Sequence, residues 1–191
     1  MVASQSFGDI GYVAVNGLTG DVVQQFEAEL PEVAGRRALI LDLRRNTGGN
    51  SAFGHPIVAH LIERPTSVVL PAQLLQPDPT LRFSGPLVVL IGPITHSAAE
   101  STAYNLHDGG RGTFIGLPTA GSSGNGPETF QTIHGVVFRM PTRREPDHSA
   151  AGTIMEGAGL VPHAVKEQTY EDFLAGRDTV LEYALNVLRE Q

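Results

Sequence analysis

The chain has 191 residues and 41% hydrophobic content, enough to bury a substantial core within the size range of one domain. Its net charge of −7 and pI of about 5.4 leave no basic stripe to release counterions from a phosphate backbone, which argues against nucleic acid as a partner. No apolar run approaches bilayer-spanning length, so no membrane span is expected, and the lack of cysteine removes disulfides and thiolate zinc sites alike.

The N-terminus carries no basic stretch leading into an apolar one, and MVASQSFGDIGYVAV enters a strand pattern almost at once. This predicts a piece of a longer chain, with no signal peptide among these residues. Ile10 to Asn16 alternates between glycines and reads as a strand. From Asp21 the apolar Val22, Phe26, Leu30 and Val33 recur at helical spacing, with Asp21 as N-cap, Gly35 as stop and Pro31 as an early terminator. Ala38 to Leu43 is a nearly continuous apolar run, the pattern of a strand covered on both faces, and it ends in the loop RRNTGGN. A helix is expected over Ala52 to Ile62 and a strand over Ser67 to Leu70. The proline-rich stretch from Pro71 to Pro86 yields no assignment.

Leu87 to Ile91 is a second buried strand. Ser97 follows it directly, and a helix is expected over Ala98 to His107 before the stop at Asp108-Gly109-Gly110. Gly112 to Gly116 reads as a third short strand, and Thr129 to Ile133 with Val136 to Met140 as a hairpin turning at His134-Gly135. The closing helix is capped by Asp178 or by Thr179 with Glu182 in a Thr-x-x-Glu box. Strands alternating with helices predict an α/β domain with a mostly parallel sheet and flanking helices.

A serine between a buried strand and a helix N-terminus is held at a rigid corner, with the first amides of the helix aimed at any negative charge that develops there. That geometry suits acyl transfer, in which a carbonyl oxygen becomes an oxyanion and each preorganised donor contributes roughly 3 kcal/mol. The Ala98 amide is one candidate donor. Gly48 or Gly49 can supply a second, because glycine lets the backbone approach a substrate closely. Both loops follow buried strands, and ligands gather at the carboxyl ends of parallel strands. Taken alone, Ser97 reads as an N-cap and Gly48-Gly49 as a turn. Glu100 either completes a capping box with Ser97 or orients the site as a supporting carboxylate, and both readings stay open.

The blocks GDIGYVAV, ALILDLRRNTGGN, LVVLIGPITHSAAESTAYNL, GTFIGLPTAGSSGN and EGAGLVPHAV, in that order, resemble the catalytic core of the C-terminal processing, or tail-specific, serine peptidases. The resemblance runs from about residue 8 to 190. It implies a crotonase-like (ClpP/crotonase) α/β core, a single catalytic domain over residues 1–191, Ser97 as nucleophile, and Ala98 with Gly48 or Gly49 as oxyanion donors. It also implies a polypeptide substrate, assembly of copies through the core, and a periplasmic or secreted setting.

In the Ser-Lys branch of that family the catalytic lysine falls where Ser122 stands, 25 residues after Ser97, whereas the sole lysine of this chain is Lys166. A hydroxyl cannot take a proton near neutral pH as a desolvated lysine can. The chain therefore resembles the branch without that lysine, similar to the tricorn core protease and the retinoid-binding-protein repeats. There an upstream histidine is the base, supported by a carboxylate about sixty residues after the serine. Glu156 falls 59 residues after Ser97, while the matching histidine would precede residue 1.

Within the chain, His96 neighbours Ser97, but adjacent side chains at a tight turn usually diverge, so it reads as a loop residue. His55 could face the site from a helix start. His163 reads as surface, and His107 and His134 as helix-end and turn residues. Ser122 and Ser123 could bind substrate backbone or simply form a glycine-serine loop, and Glu156 could merely cap Gly157 to Gly159. No histidine pair shows metal-ligand spacing with a carboxylate, so neither metal nor other cofactor is implied. The leading expectation is a serine-type endopeptidase. Its rival is a non-catalytic module holding a peptide or apolar ligand in the same cleft. A third reading, an acyl-CoA site by analogy of fold, lacks the basic cluster that CoA phosphates need.

Overall fold

The computed structural model describes residues 2–69, 72–122, 127–142 and 149–191. In chain order the elements are β1 (Val2–Phe7), β2 (Ile10–Val15), α1 (Val22–Ala34), β3 (Ala38–Asp42), α2 (Ser51–Ala59), β4 (Thr66–Val69) and β5 (Ala72–Leu75). They continue with β6 (Leu87–Ile91), α3 (Ala98–Asp108), β7 (Thr113–Gly116), β8 (Glu128–Gln131), β9 (Val137–Met140), β10 (Ala164–Val165), α4 (Tyr170–Leu174) and α5 (Thr179–Arg189). Six strands form one sheet in the order β1-β2-β3-β6-β7-β10, in which β1 runs antiparallel to β2 and every other pair is parallel. Two antiparallel pairs, β4-β5 and β8-β9, stand outside it.

The sheet is covered on both faces, which explains why β3 and β6 are buried at every position rather than alternately. Leu39 and Leu41 of β3 and Val89 and Ile91 of β6 join Phe26 and Leu30 of α1, Ile57 and Val58 of α2, and Tyr104 and Leu106 of α3 in one core. Ile40, Val88 and Leu90 join Val180, Ala184, Leu185 and Leu188 of α5 in the other. Helix α1 continues past Pro31 to Ala34, because the ring lies on the exposed side while Leu30 and Val33 face the core. The unassigned proline-rich stretch contains β5, which pairs with β4 from Thr66 opposite Leu75 to Val69 opposite Ala72.

Asp178 is the N-cap of α5, accepting from the Leu181 amide at 2.9 Å, whereas Thr179 lies inside the helix and gives its hydroxyl to Asp172. Arg44, just past β3, bridges Asp42 and Asp178 with contacts of 2.7 Å to each and so ties the end of the central strand to α5. Burial opposes charge on Asp178, but the Arg44 hydrogen bond and the helix amides outweigh it and hold the carboxyl below its ordinary value of 3.8. A carboxyl depressed in the folded state stabilises the fold fully above its unfolded value and loses that contribution as pH falls through the folded one. Acid unfolding of Asp178→Asn followed by circular dichroism should therefore show a shallower loss of stability below about pH 4 than the parent chain.

Candidate active site

Four loops leave the same edge of the sheet, because β2, β3, β6 and β7 are mutually parallel in register. After β3 the chain turns through Asn46, which is fully buried. Its Oδ1 accepts from the Gly48 amide at 2.9 Å, and its carbonyl accepts from the His96 amide at 3.1 Å, joining the glycine loop to the loop after β6. Its Nδ2 is buried with no hydrogen bond among the described residues, so Asn46 joins the two loops through its acceptors alone. Thr95, also fully buried, donates its hydroxyl to the Leu43 carbonyl at 2.9 Å and accepts from the Ala120 amide on its own carbonyl at 3.0 Å.

Ser97 sits at the N-terminus of α3 with φ 57° and ψ −125°, the only non-glycine residue at positive φ among the described residues. Such backbone costs on the order of 1–3 kcal/mol, and it persists only where the surroundings dictate it. Here the Ser97 amide is fixed by the Ser122 carbonyl at 3.0 Å and by Glu100 Oε2 at 3.2 Å. A Cβ built on Gly48 would lie 2.6 Å from the His96 carbonyl oxygen, 2.8 Å from Ser97 Cβ and 3.0 Å from the Ala98 nitrogen. The glycine loop and the serine corner are therefore in direct contact. With φ 89° at Gly48, Gly48→Ala should displace Ser97 and lower its reaction with a serine-directed probe by on the order of 100-fold, read as a labelling rate.

The donors expected around Ser97 differ in availability. The Gly48 amide is already committed to Asn46. The Gly49 and Ala98 amides carry no hydrogen bond among the described residues, Ala98 as an orphan donor of the first helical turn. Gly49, at φ 138°, bridges to Leu18 through its neighbours, with the Leu18 amide on the Gly48 carbonyl at 2.8 Å and the Asn50 amide on the Leu18 carbonyl at 2.9 Å.

Glu100 is fully buried. Its Oε1 accepts from the Thr119 hydroxyl at 2.6 Å and the Gly121 amide at 2.7 Å, while Oε2 accepts from the Ser122 amide at 2.9 Å and the Ser97 amide. Four donors and the N-terminus of α3 offset the cost of burying this carboxylate. Glu100 thus caps the start of α3 and ties it to the 119–122 segment. Burial, first, and the nearby Glu100 and Asp108 carboxylates push the Tyr104 hydroxyl on the same helix up to about 12.

Ser122 is brought beside Ser97 through main-chain bonds, and its hydroxyl lies 3.1 Å from His96 Nε2. Ser123 lies outside the described residues. Glu156 is exposed at the start of a loop zipped onto the 119–121 segment, by the Gly157 amide on the Gly121 carbonyl at 2.7 Å and the Leu160 amide on Thr119 Oγ1 at 2.7 Å. His55 is buried on α2 with Nδ1 paired to Gln73 at 2.8 Å, and His163 Nδ1 accepts from the Phe114 amide at 2.9 Å. Asn46, Thr95 and Thr119, which join these loops, were not singled out in the sequence, since buried polar side chains leave no periodic signal. Among the described residues, no group of histidine and acidic side chains could hold a metal ion, and no helix is long and apolar enough to cross a membrane.

A serine at positive φ at the start of a helix, a glycine loop packed against it and a buried carboxylate locking the loops form one corner on the edge of an α/β sheet. The chain belongs to peptidase family S41, whose sequence profile matches residues 9–165. It is 25% identical over 191 residues to the tricorn protease of Thermoplasma acidophilum, covering all of this chain and 18% of that protein. It is 24% identical over 193 residues to a carboxy-terminal-processing protease of Bartonella bacilliformis, covering 91% of this chain and 42% of that protein. It thus spans less than half the length of these relatives. A crystal structure of a protein from Parabacteroides merdae shares the fold with a TM-score of 0.80 at 22% identity, covering 98% of this chain and 63% of that one. The expected α/β core with a mostly parallel sheet and flanking helices is the fold of this family.

Proposed function

We propose that this chain is the catalytic core of a serine endopeptidase that cleaves extended polypeptide through an acyl-enzyme on Ser97. The observation that carries the reading is the positive φ of Ser97 in direct contact with the Gly48 loop. Strain of that kind is sustained by surrounding contacts rather than by local preference, and it clusters where a reactive group must be presented. The Ala98 and Gly49 amides would take up the oxyanion, with Gly48 shaping the approach. Glu100 would hold the nucleophile loop, Glu156 would support the base, and Ser122 and Ser123 would contact substrate backbone.

This reading places the chain in the lysine-independent branch of the family. Lys166 is the sole lysine, and its Nζ lies 4.5 Å from the centre of the Tyr183 ring on α5, against the sheet face opposite α3. Incubation with a denatured polypeptide tests the activity. Fragments from the native sequence and none from Ser97→Ala are expected. Fragments from both would contradict Ser97 as the nucleophile, and bound but uncut polypeptide with the native sequence would favour the rival reading of a binding module derived from a peptidase core.

A further inference from the structure

Thr119, in the segment after β7, carries a buried hydroxyl on which three parts of the site converge. Its Oγ1 donates to Glu100 Oε1 at 2.6 Å and accepts from the Leu160 amide at 2.7 Å. A carboxylate accepts and an amide N–H donates, so the single hydroxyl proton has one destination and the group one orientation. The Thr119 backbone repeats the tie, its amide donating to the Leu160 carbonyl at 3.1 Å. From Glu100 the line continues to the nucleophile corner, because Oε2 accepts from the Ser122 amide at 2.9 Å and the Ser97 amide at 3.2 Å. A chain of hydrogen bonds thus runs from the 156–160 loop through Thr119 and Glu100 to the backbone of the residue held at φ 57°. The two loops are also packed without slack: a Cβ built on Gly159 would lie 2.4 Å from the Thr119 carbonyl oxygen, and one on Gly121 would lie 2.9 Å from the Gly159 nitrogen.

We propose that Thr119 is a positioning residue for the reaction at Ser97, acting through Glu100 and setting the 156–160 loop in register with the serine corner; the proposal rests on the serine-peptidase reading above. The hydroxyl fixes the plane of the Glu100 carboxylate. Without it Oε1 keeps only the Gly121 amide at 2.7 Å, the carboxylate can turn, and the Ser97 amide loses a fixed partner. A residue at positive φ depends on such partners, since its surroundings and not its own preference hold it there. The same oxygen is the acceptor for the Leu160 amide, so its loss also loosens the loop that begins at Glu156. Both partners of the hydroxyl belong to the site: Glu100 lies in the first turn of α3, and Leu160 lies in a loop rather than a strand. Removing this oxygen therefore leaves the pairing of the central sheet intact and disturbs the relation between the loops.

The test compares the native sequence with Thr119→Val, which keeps the shape and removes the hydroxyl, and Thr119→Ser, which keeps the hydroxyl and removes a methyl. Three quantities are measured on each: the rate at which a fluorophosphonate probe labels Ser97, kcat and KM for peptide cleavage, and amide hydrogen exchange in the peptides spanning 97–101 and 156–161. Thr119→Val should label Ser97 more slowly by about 10-fold to about 100-fold, the range for a displaced reacting group. Its kcat should fall with KM unchanged, because the hydroxyl acts through the loops and not on bound substrate. Exchange should quicken in both peptides together, and Thr119→Ser should recover rate and protection. A folded Thr119→Val that labels and cleaves as the native sequence does overturns the proposal while leaving the serine chemistry standing. So does a Thr119→Ser as slow as Thr119→Val, since the methyl and not the hydroxyl would then matter, and this arm decides the question even if Thr119→Val fails to fold. Native protein that neither labels nor cleaves overturns both readings.

Discussion

Ser97→Ala is expected to lower peptide cleavage by on the order of 10⁴-fold or more while leaving the melting temperature unchanged or slightly raised. The size follows from what the hydroxyl does in the proposed reaction, since removing a nucleophile leaves only the residual contribution of oxyanion donors and binding. The stability expectation follows from the backbone. Ser97 holds φ 57° because Glu100, Ser122 and the Gly48 loop grip its main chain, and alanine keeps all those contacts. A Ser97→Gly variant, freed from the steric penalty at positive φ, should be equally inactive and no less stable. Activity and melting measurements on both variants check this. A loss of stability paralleling the loss of activity would mean that the serine is there as a cap and not as a nucleophile.

Glu100→Ala carries the largest expected effect on stability. It leaves the Ser97, Gly121 and Ser122 amides and the Thr119 hydroxyl without their common acceptor in a buried corner. Breaking a buried charged network of this kind costs roughly 3–5 kcal/mol, which in a domain of this length lowers the melting temperature by about 10 °C. Urea denaturation and calorimetry would measure it. Glu100→Gln preserves the shape but turns a donor group toward donors, so it should recover only part of the loss. Both variants should also slow labelling of Ser97, because the same carboxylate holds the nucleophile loop and the Ser122 loop in place. A stable Glu100→Ala protein would show that these loops are organised by something else.

Much of the scaffold was legible because burial on two faces writes itself into composition. ALILD and LVVLI can only be strands sandwiched between layers, and the helical spacing of Val22, Phe26, Leu30 and Val33 survives the intrusion of Pro31. What escaped were elements whose pattern is set by pairing alone. The strand β1 buries none of its residues fully and depends on its register with β2, and β5 is hidden among prolines and held by β4. The two-residue β10 and the five-residue α4 are too short for any periodicity to emerge.

At the site, Ser97 and the paired glycines stood out because strand-loop-helix is a local pattern. The fourfold bonding of Glu100 joins residues up to 22 positions apart, and the His96–Ser122 contact joins residues 26 apart. No spacing rule anticipates either, since both arise only when the loops after β6 and β7 fold over one sheet edge. Asn46 was hidden for the same reason: its contribution lies in the two loops it joins.

Mass-spectrometric mapping of the fluorophosphonate adduct on the folded chain tests the identity of the nucleophile most directly. One adduct on the peptide containing Ser97, lost in Ser97→Ala, is the predicted result. An adduct on Ser122 or another serine that persists in Ser97→Ala, or a folded chain that takes up no probe at all, would contradict it.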